Sequence, residues 1–178
     1  METICVNLFG GPGSGKSSTS AGIFHLLKKQ HINCELITEY AKDKVWLNDQ
    51  ATLSVQPYVS AKQLIATEKL NNKVDVMITD SPLLLGTIYA DSWGTDNFLK
   101  CLHEWHNRYN NLNIFLKRNE EHFSRNGRNH DLEESIKIDE KIKNILQKYI
   151  FYEFEVEPNV SDKIAEIIQG KLSKHFQD

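Results

Sequence analysis

The stretch Gly10-Gly11-Pro12-Gly13-Ser14-Gly15-Lys16-Ser17 fits the pattern G-x-x-x-x-G-K-[ST]. Residues of these types at this spacing bind a polyphosphate. Glycines let the backbone curl until successive N–H groups, from Gly11 through Gly13, Ser14 and Gly15 to Ser18, point at one β-phosphate. Lys16 is expected to reach the β- and γ-phosphates, and Ser17 to ligate Mg²⁺. Position supports the match. An apolar run, Ile4 to Phe9, precedes it, and a helical stripe of Ala21, Ile23, Phe24, Leu26 and Leu27 follows. A helix opening at the loop adds its positive end to the phosphate site.

Such a loop defines a phosphate donor site and leaves switch GTPase, motor, AAA-type ATPase and small-molecule kinase open. The acids narrow the choice. The run Val74 to Thr79 delivers Asp80, followed by Ser81-Pro82, to the carboxyl edge of a sheet, where ligands of open α/β folds bind. Asp80 is the expected partner of Mg²⁺. The run Ile32 to Thr38 ends at Glu39-Tyr40 and brings a second carboxylate to the same edge. A hydroxyl acceptor must lose a proton as it attacks, and Glu39 is the candidate general base; a phosphate acceptor is already ionised and needs none.

Arginine distribution carries the next step. Only four of the 21 cations are Arg: Arg108, Arg118, Arg125 and Arg128. A planar guanidinium is the usual clamp for an acceptor phosphate, yet no Arg lies between the phosphate loop and Asp80, where Lys42, Lys44 and Lys62 stand instead. A hydroxyl acceptor is favoured. Arg118, Arg125 and Arg128 fall in one segment beside the candidate hinge Gly127, and are expected to act from a lid over about 118–131 that neutralises charge in the transition state. The alternative for Arg118 and Arg125 is pairing with Glu120, Glu121 or Glu133 on a solvated face. Two further matches, Asn72-Lys73-Val74-Asp75 and Asp91-Ser92-Trp93-Gly94, spell guanine-nucleotide motifs in reversed order and read as coincidences.

Elements that could position these residues follow from periodicity. Short β-branched runs alternate with helical patterns, as in a parallel α/β sheet. Beyond the three strands above, Leu53 to Leu70 and residues 96 to 109 read as helices and Leu112 to Leu116 as a fourth strand. Asp131 with Glu134 predicts a capping box for a long helix. Tyr152, Phe154 and Val156 alternate with Glu153, Glu155 and Glu157, a strand with one wet face near an edge; Ser161 is expected to cap the last helix. One doubly wound domain of five strands over 1–178 is expected. A net charge of -3 argues against gripping nucleic acid by bulk charge, and Cys5, Cys34 and Cys101 form neither a disulfide framework nor a zinc motif. With no apolar span or export signal in the pattern, a cytoplasmic location is expected.

These features resemble the P-loop kinases of nucleosides and nucleotides: deoxynucleoside kinases, thymidylate-kinase types and NadR-type ribosylnicotinamide kinases, with short phage-encoded members most similar in length and layout. The resemblance implies a three-layer P-loop kinase fold, a five-stranded parallel sheet with helices on both faces and an Arg-containing lid. It implies ATP and Mg²⁺ as cofactors, a nucleoside-like or nucleotide-like acceptor, a host cytoplasm for a phage-encoded member, and leaves a homodimer open. Glu39 followed by Trp46 resembles the family's acid–aromatic pair. Gln56-Pro57-Tyr58-Val59 is similar to its base-reading segment, so Gln56, with Gln63 behind it, is implied to read a base; Tyr40 and Trp46 are candidates for stacking on it. Pro158-Asn159 is implied to pack on adenine. The family's acid-Arg-Ser signature is replaced by Asp80-Ser81-Pro82, which departs from the pattern on the acceptor side. The leading expectation is transfer of the ATP γ-phosphate to a hydroxyl. The alternatives are a kinase of the hydroxymethyl group of a modified pyrimidine in DNA (5-hydroxymethyluracil type), a nucleoside monophosphate kinase and a regulatory P-loop ATPase.

Overall fold

The computed structural model describes residues 2–118 and 131–175. Five strands, β1 (Ile4–Phe9), β2 (Cys34–Ile37), β3 (Val76–Thr79), β4 (Asn110–Lys117) and β5 (Phe151–Glu155), form one parallel sheet in the order β2-β3-β1-β4-β5. β1 is central and buried along its whole length, which is why it reads as a nearly unbroken apolar run. Alternate side chains serve opposite faces. Ile4, Val6 and Leu8 meet Ile23 and Leu27 of α1 (Lys16–Lys29) and Ile164 and Ile168 of α7 (Val160–His175). On the other face Phe9 and Phe115 pack on Ile138, Ile142 and Leu146 of α6 (Leu132–Leu146), and Cys5 and Met77 on Tyr109 and Leu83. This is the expected three-layer α/β arrangement.

β5 pairs with β4 alone, so the Tyr152/Glu153 alternation marks an edge strand. The Asp131–Glu134 capping box forms: each side chain accepts the other residue's backbone N–H, at 2.9 and 3.0 Å. The expected helix at Leu53–Leu70 is instead α4 (Gln56–Glu68), entered through Pro57 in its first turn. Two short helices precede it, α2 (Tyr40–Trp46) and α3 (Gln50–Leu53), the latter capped by Asp49, whose carboxylate accepts from the Thr52 N–H. A 3-10 turn at Leu83–Thr87 leads towards α5 (Asp96–His106). Ser161 does not cap α7, which begins one residue earlier; its hydroxyl donates to the Thr19 carbonyl and binds α7 to α1. The Asn72–Asp75 match precedes β3, at the sheet edge opposite the phosphate loop, and Asp91–Gly94 forms an exposed 3-10 turn. Among the described residues no helix is long and apolar enough to cross a membrane.

Candidate functional site

Strand order alone brings three chemical groups together. β3 lies between β1 and β2, with Asn7 and Ile37 both in register with Thr79. The phosphate loop leaves β1 at Gly10, Asp80 follows β3 directly and Glu39 stands two residues beyond β2, so all three occupy one carboxyl edge. This is the edge at which open parallel sheets bind ligands.

Gly15 is the residue before α1, at φ +85°, a left-handed conformation that favours glycine. No side chain caps α1, so its first-turn N–H groups remain directed at the loop. A β-carbon at Gly15 would also come within 3.1 Å of the Val156 side chain, which fixes the chain after β5 against the loop. Pro158 and Asn159, the residues implied for adenine, are exposed just beyond that contact, and Ser18 is exposed in the first turn of α1. The Lys16 ammonium donates to the carbonyls of Gly10 and Gly11 at 2.7 and 3.0 Å. Burial pulls its pKa below the ordinary lysine value, opposed by the carboxylates of Glu39, Asp80 and Asp139.

Ser17 Oγ donates to Asp80 Oδ2 at 2.7 Å. Asp80 is buried, and its Oδ1 has no hydrogen-bond partner among the described residues. A buried carboxylate oxygen left unmatched beside a hydroxyl is costly unless a ligand completes it. A hard, oxygen-seeking cation such as Mg²⁺ suits this donor pair, and Ser17 and Asp80 would hold it.

Glu39 has extended backbone ahead of α2 but does not spend its carboxylate on capping. It lines a cleft of about 300 Å³ with Ser17, Thr38, Lys42, Trp46 and Asp80. Burial pushes its pKa above the usual glutamate value and Asp80 pushes the same way, while Lys16 and Lys42 oppose. Tyr89 faces Glu39 and Asp139 electrostatically, and burial holds its hydroxyl protonated far above the usual tyrosine range.

On the acceptor side the expected residues separate. Trp46 lies on the cleft wall with 64% of its surface exposed, free to stack on a planar group. Tyr40 turns its ring edge-on to Tyr58, 6.2 Å between centroids, with Lys44 against its face. Gln56 is buried, donates to Ser60 Oγ at 3.3 Å, and lines a smaller neighbouring recess of about 30 Å³ with Ser81 and Pro82. Gln63 is committed to the protein: its amide nitrogen donates to Thr79 Oγ1 and its oxygen accepts the Tyr40 N–H, linking α4, β3 and α2. It positions the strand ends.

The four arginines divide. Arg108 pairs with Glu68 away from the loop. Arg118 is enclosed, its side chain 4% exposed, and pairs with Asp139 at 2.6 Å; Glu120 and Glu121 lie outside the described residues. Arg125, Arg128 and the body of the expected lid lie outside the described residues. Asp139 was not singled out by motif reasoning. Its signal was a carboxylate four residues after Ser135, on the face of α6 that carries Ser135, Ile138 and Ile142 inward.

Comparison with known proteins agrees with this architecture. A family model described as an AAA domain, AAA_28, matches residues 5–163. The chain belongs to this AAA-domain family. Among solved structures, a deoxyadenosine kinase from M. mycoides, with the products dCMP and dCDP bound, superposes with a TM-score of 0.53 over 96% of this chain and 98% of that one. Sequence identity is 17%, so the likeness establishes the P-loop kinase fold. No curated protein matches the sequence.

Proposed function

We propose that this AAA-domain protein is an ATP- and Mg²⁺-dependent phosphotransferase that moves the γ-phosphoryl group of ATP to a hydroxyl of a nucleoside-like or nucleotide-like substrate. The observation that carries the reading is the shared cleft: Glu39, its pKa raised by burial, faces Ser17 and Asp80 beside the phosphate loop. A plain NTPase would need only to orient water, whereas an open wall bearing Trp46 and Lys42 next to a basic carboxylate suits an organic hydroxyl.

In the proposed reaction the acceptor hydroxyl passes its proton to the Glu39 carboxylate. Its oxygen forms a bond to the γ-phosphorus as the bond from that phosphorus to the β,γ-bridging oxygen breaks, and ADP leaves. Loop N–H groups from Gly13 onward and Lys16 stabilise charge on the phosphates, whereas the Gly11 N–H, expected to join them, is taken by Asp139. Mg²⁺ held by Ser17 and Asp80 would neutralise the β- and γ-oxygens. Arg125 and Arg128 would add further cationic groups, Gln56 and Trp46 would contact the acceptor, and Pro158 and Asn159 would contact adenine. Likeness in fold to a deoxyadenosine kinase supports a nucleoside-like acceptor.

A γ-labelled ATP transfer screen over nucleosides, nucleotides, nicotinamide riboside and hydroxymethylated DNA tests this, with Lys16→Ala as the blank. Label on a nucleoside or nucleotide hydroxyl is expected. Label on DNA would retain hydroxyl transfer but replace the acceptor class, and release of inorganic phosphate alone would remove the transferase.

A further inference from the structure

The two carboxylate oxygens of Asp139 are divided between two partners. Oδ1 accepts the Gly11 N–H at 2.5 Å and Oδ2 accepts Arg118 Nε at 2.6 Å. Arg118 directs two further nitrogens at main-chain carbonyls, Pro12 at 3.0 Å and Ser135 at 3.1 Å. The pair therefore grips both the Gly11 N–H and the Pro12 C=O of the phosphate loop, from the end of β4 and from α6. Contact is tight enough that a β-carbon at Gly11 would lie 2.6 Å from the Ser135 carbonyl oxygen and 2.9 Å from an Arg118 nitrogen.

Stability alone is a poor reason for such a pair. Desolvating two charges offsets most of their attraction, and replacing a buried ion pair by apolar side chains of similar volume is often neutral or stabilising. Its specific product here is the shape of the loop. Charge balance matters too: Lys16 senses Asp139 and Arg118 with opposite signs. The loop is braced without leaving a lone carboxylate beside the site of a polyphosphate.

We propose that Arg118 and Asp139 are a positioning pair that holds the Gly11–Pro12 arch in its nucleotide-binding shape. Arg118 acts through the loop rather than on the transferred phosphate. The inference needs only nucleotide binding at the loop and stands apart from the identity or existence of an acceptor.

ADP affinity by calorimetry, read beside thermal midpoint, tests it in the full chain. Arg118→Met and Asp139→Leu are each expected to weaken ADP about tenfold or more and to lower the midpoint. The double variant is expected to recover the midpoint to within a few degrees of the parent while keeping the tenfold loss, because Gly11 and Pro12 still lack their partners. Asp139→Asn, which offers Gly11 the same acceptor oxygen, is expected to bind ADP at least threefold more tightly than Asp139→Leu and covers the case in which a single variant fails to fold. Recovery of affinity together with stability in the double variant would overturn the proposal, as would equal ADP affinities for Asp139→Asn and Asp139→Leu.

Discussion

The proposed donor and acceptor sides of the cleft are built on opposite plans. On the donor side, the loop is fixed by buried partners: Gly15 opens α1, Arg118 and Asp139 hold Gly11 and Pro12, and Ser17 meets a buried Asp80. On the acceptor side, α2, a short helix with no buried residues, carries Trp46 and Lys42 on an open wall. In the proposed reaction the donor site is preorganised for a fixed polyphosphate, while the proposed acceptor site relies on exposed side chains whose ordering a ligand must supply. Substitutions on the first side should therefore remove the reaction, and those on the second should retune its substrate.

The largest effect is expected at Lys16. Lys16→Ala removes the cation that lies over the loop and is expected to lower phosphoryl transfer by 10³ or more, at about the detection limit of a labelled assay, with the circular dichroism spectrum unchanged. A residual rate within tenfold of the parent would erase the distinction between the two sides. Next comes Trp46→Ala, expected to raise the acceptor KM about tenfold with kcat and the ATP KM nearly unchanged, in line with a lost stacking surface. A fall in kcat instead would place Trp46 with the chemistry.

The acid limb of the rate profile separates the sides by pH. Burial raises the Glu39 pKa, so the basic carboxylate is lost as pH falls through a value above the ordinary 4.3 or so of glutamate. The profile of kcat should fall on that limb, and Lys16→Met, which removes the cation opposing the shift, should move the Glu39 titration further up by NMR. The most remote effect lies behind the sheet. His106 is buried against Phe9 and Tyr149, its Nε2 has no partner among the described residues, and burial lowers its pKa to about 4. It stays neutral in the folded chain while the unfolded chain takes up a proton below about pH 6.5, so its contribution to stability is present above that value and lost as pH falls towards 4. About 3 kcal/mol is involved. Urea midpoints from pH 7 to pH 4 should decline less steeply for His106→Gln than for the parent.

The same contrast governs what could be read from the sequence. Local rules were legible: the phosphate loop between a strand and a helix, the Asp131–Glu134 box, and the alternation that marks β5 as an edge. Glu39 and Asp80 could be placed at one sheet edge because each stands within two residues of the end of a strand. Asp139 could not be paired with Gly11, 128 positions away, since only the packing of α6 on the loop joins them. The family resemblance implied Gln63 only as an understudy to Gln56, and its contacts with Thr79 and Tyr40 could not be read from the sequence because they join separate elements. α2 and α3 were missed because seven- and four-residue helices are too short to show a period.

In the proposed reaction everything turns on Glu39 taking a proton from an acceptor hydroxyl. Single-turnover transfer by Glu39→Gln, with ATP affinity measured on the same preparation, tests it most directly. The predicted result is an ATP affinity within threefold of the parent and a transfer rate reduced by 10² or more, with the acid limb gone from the pH profile. Transfer at the parental rate with the limb intact would contradict it.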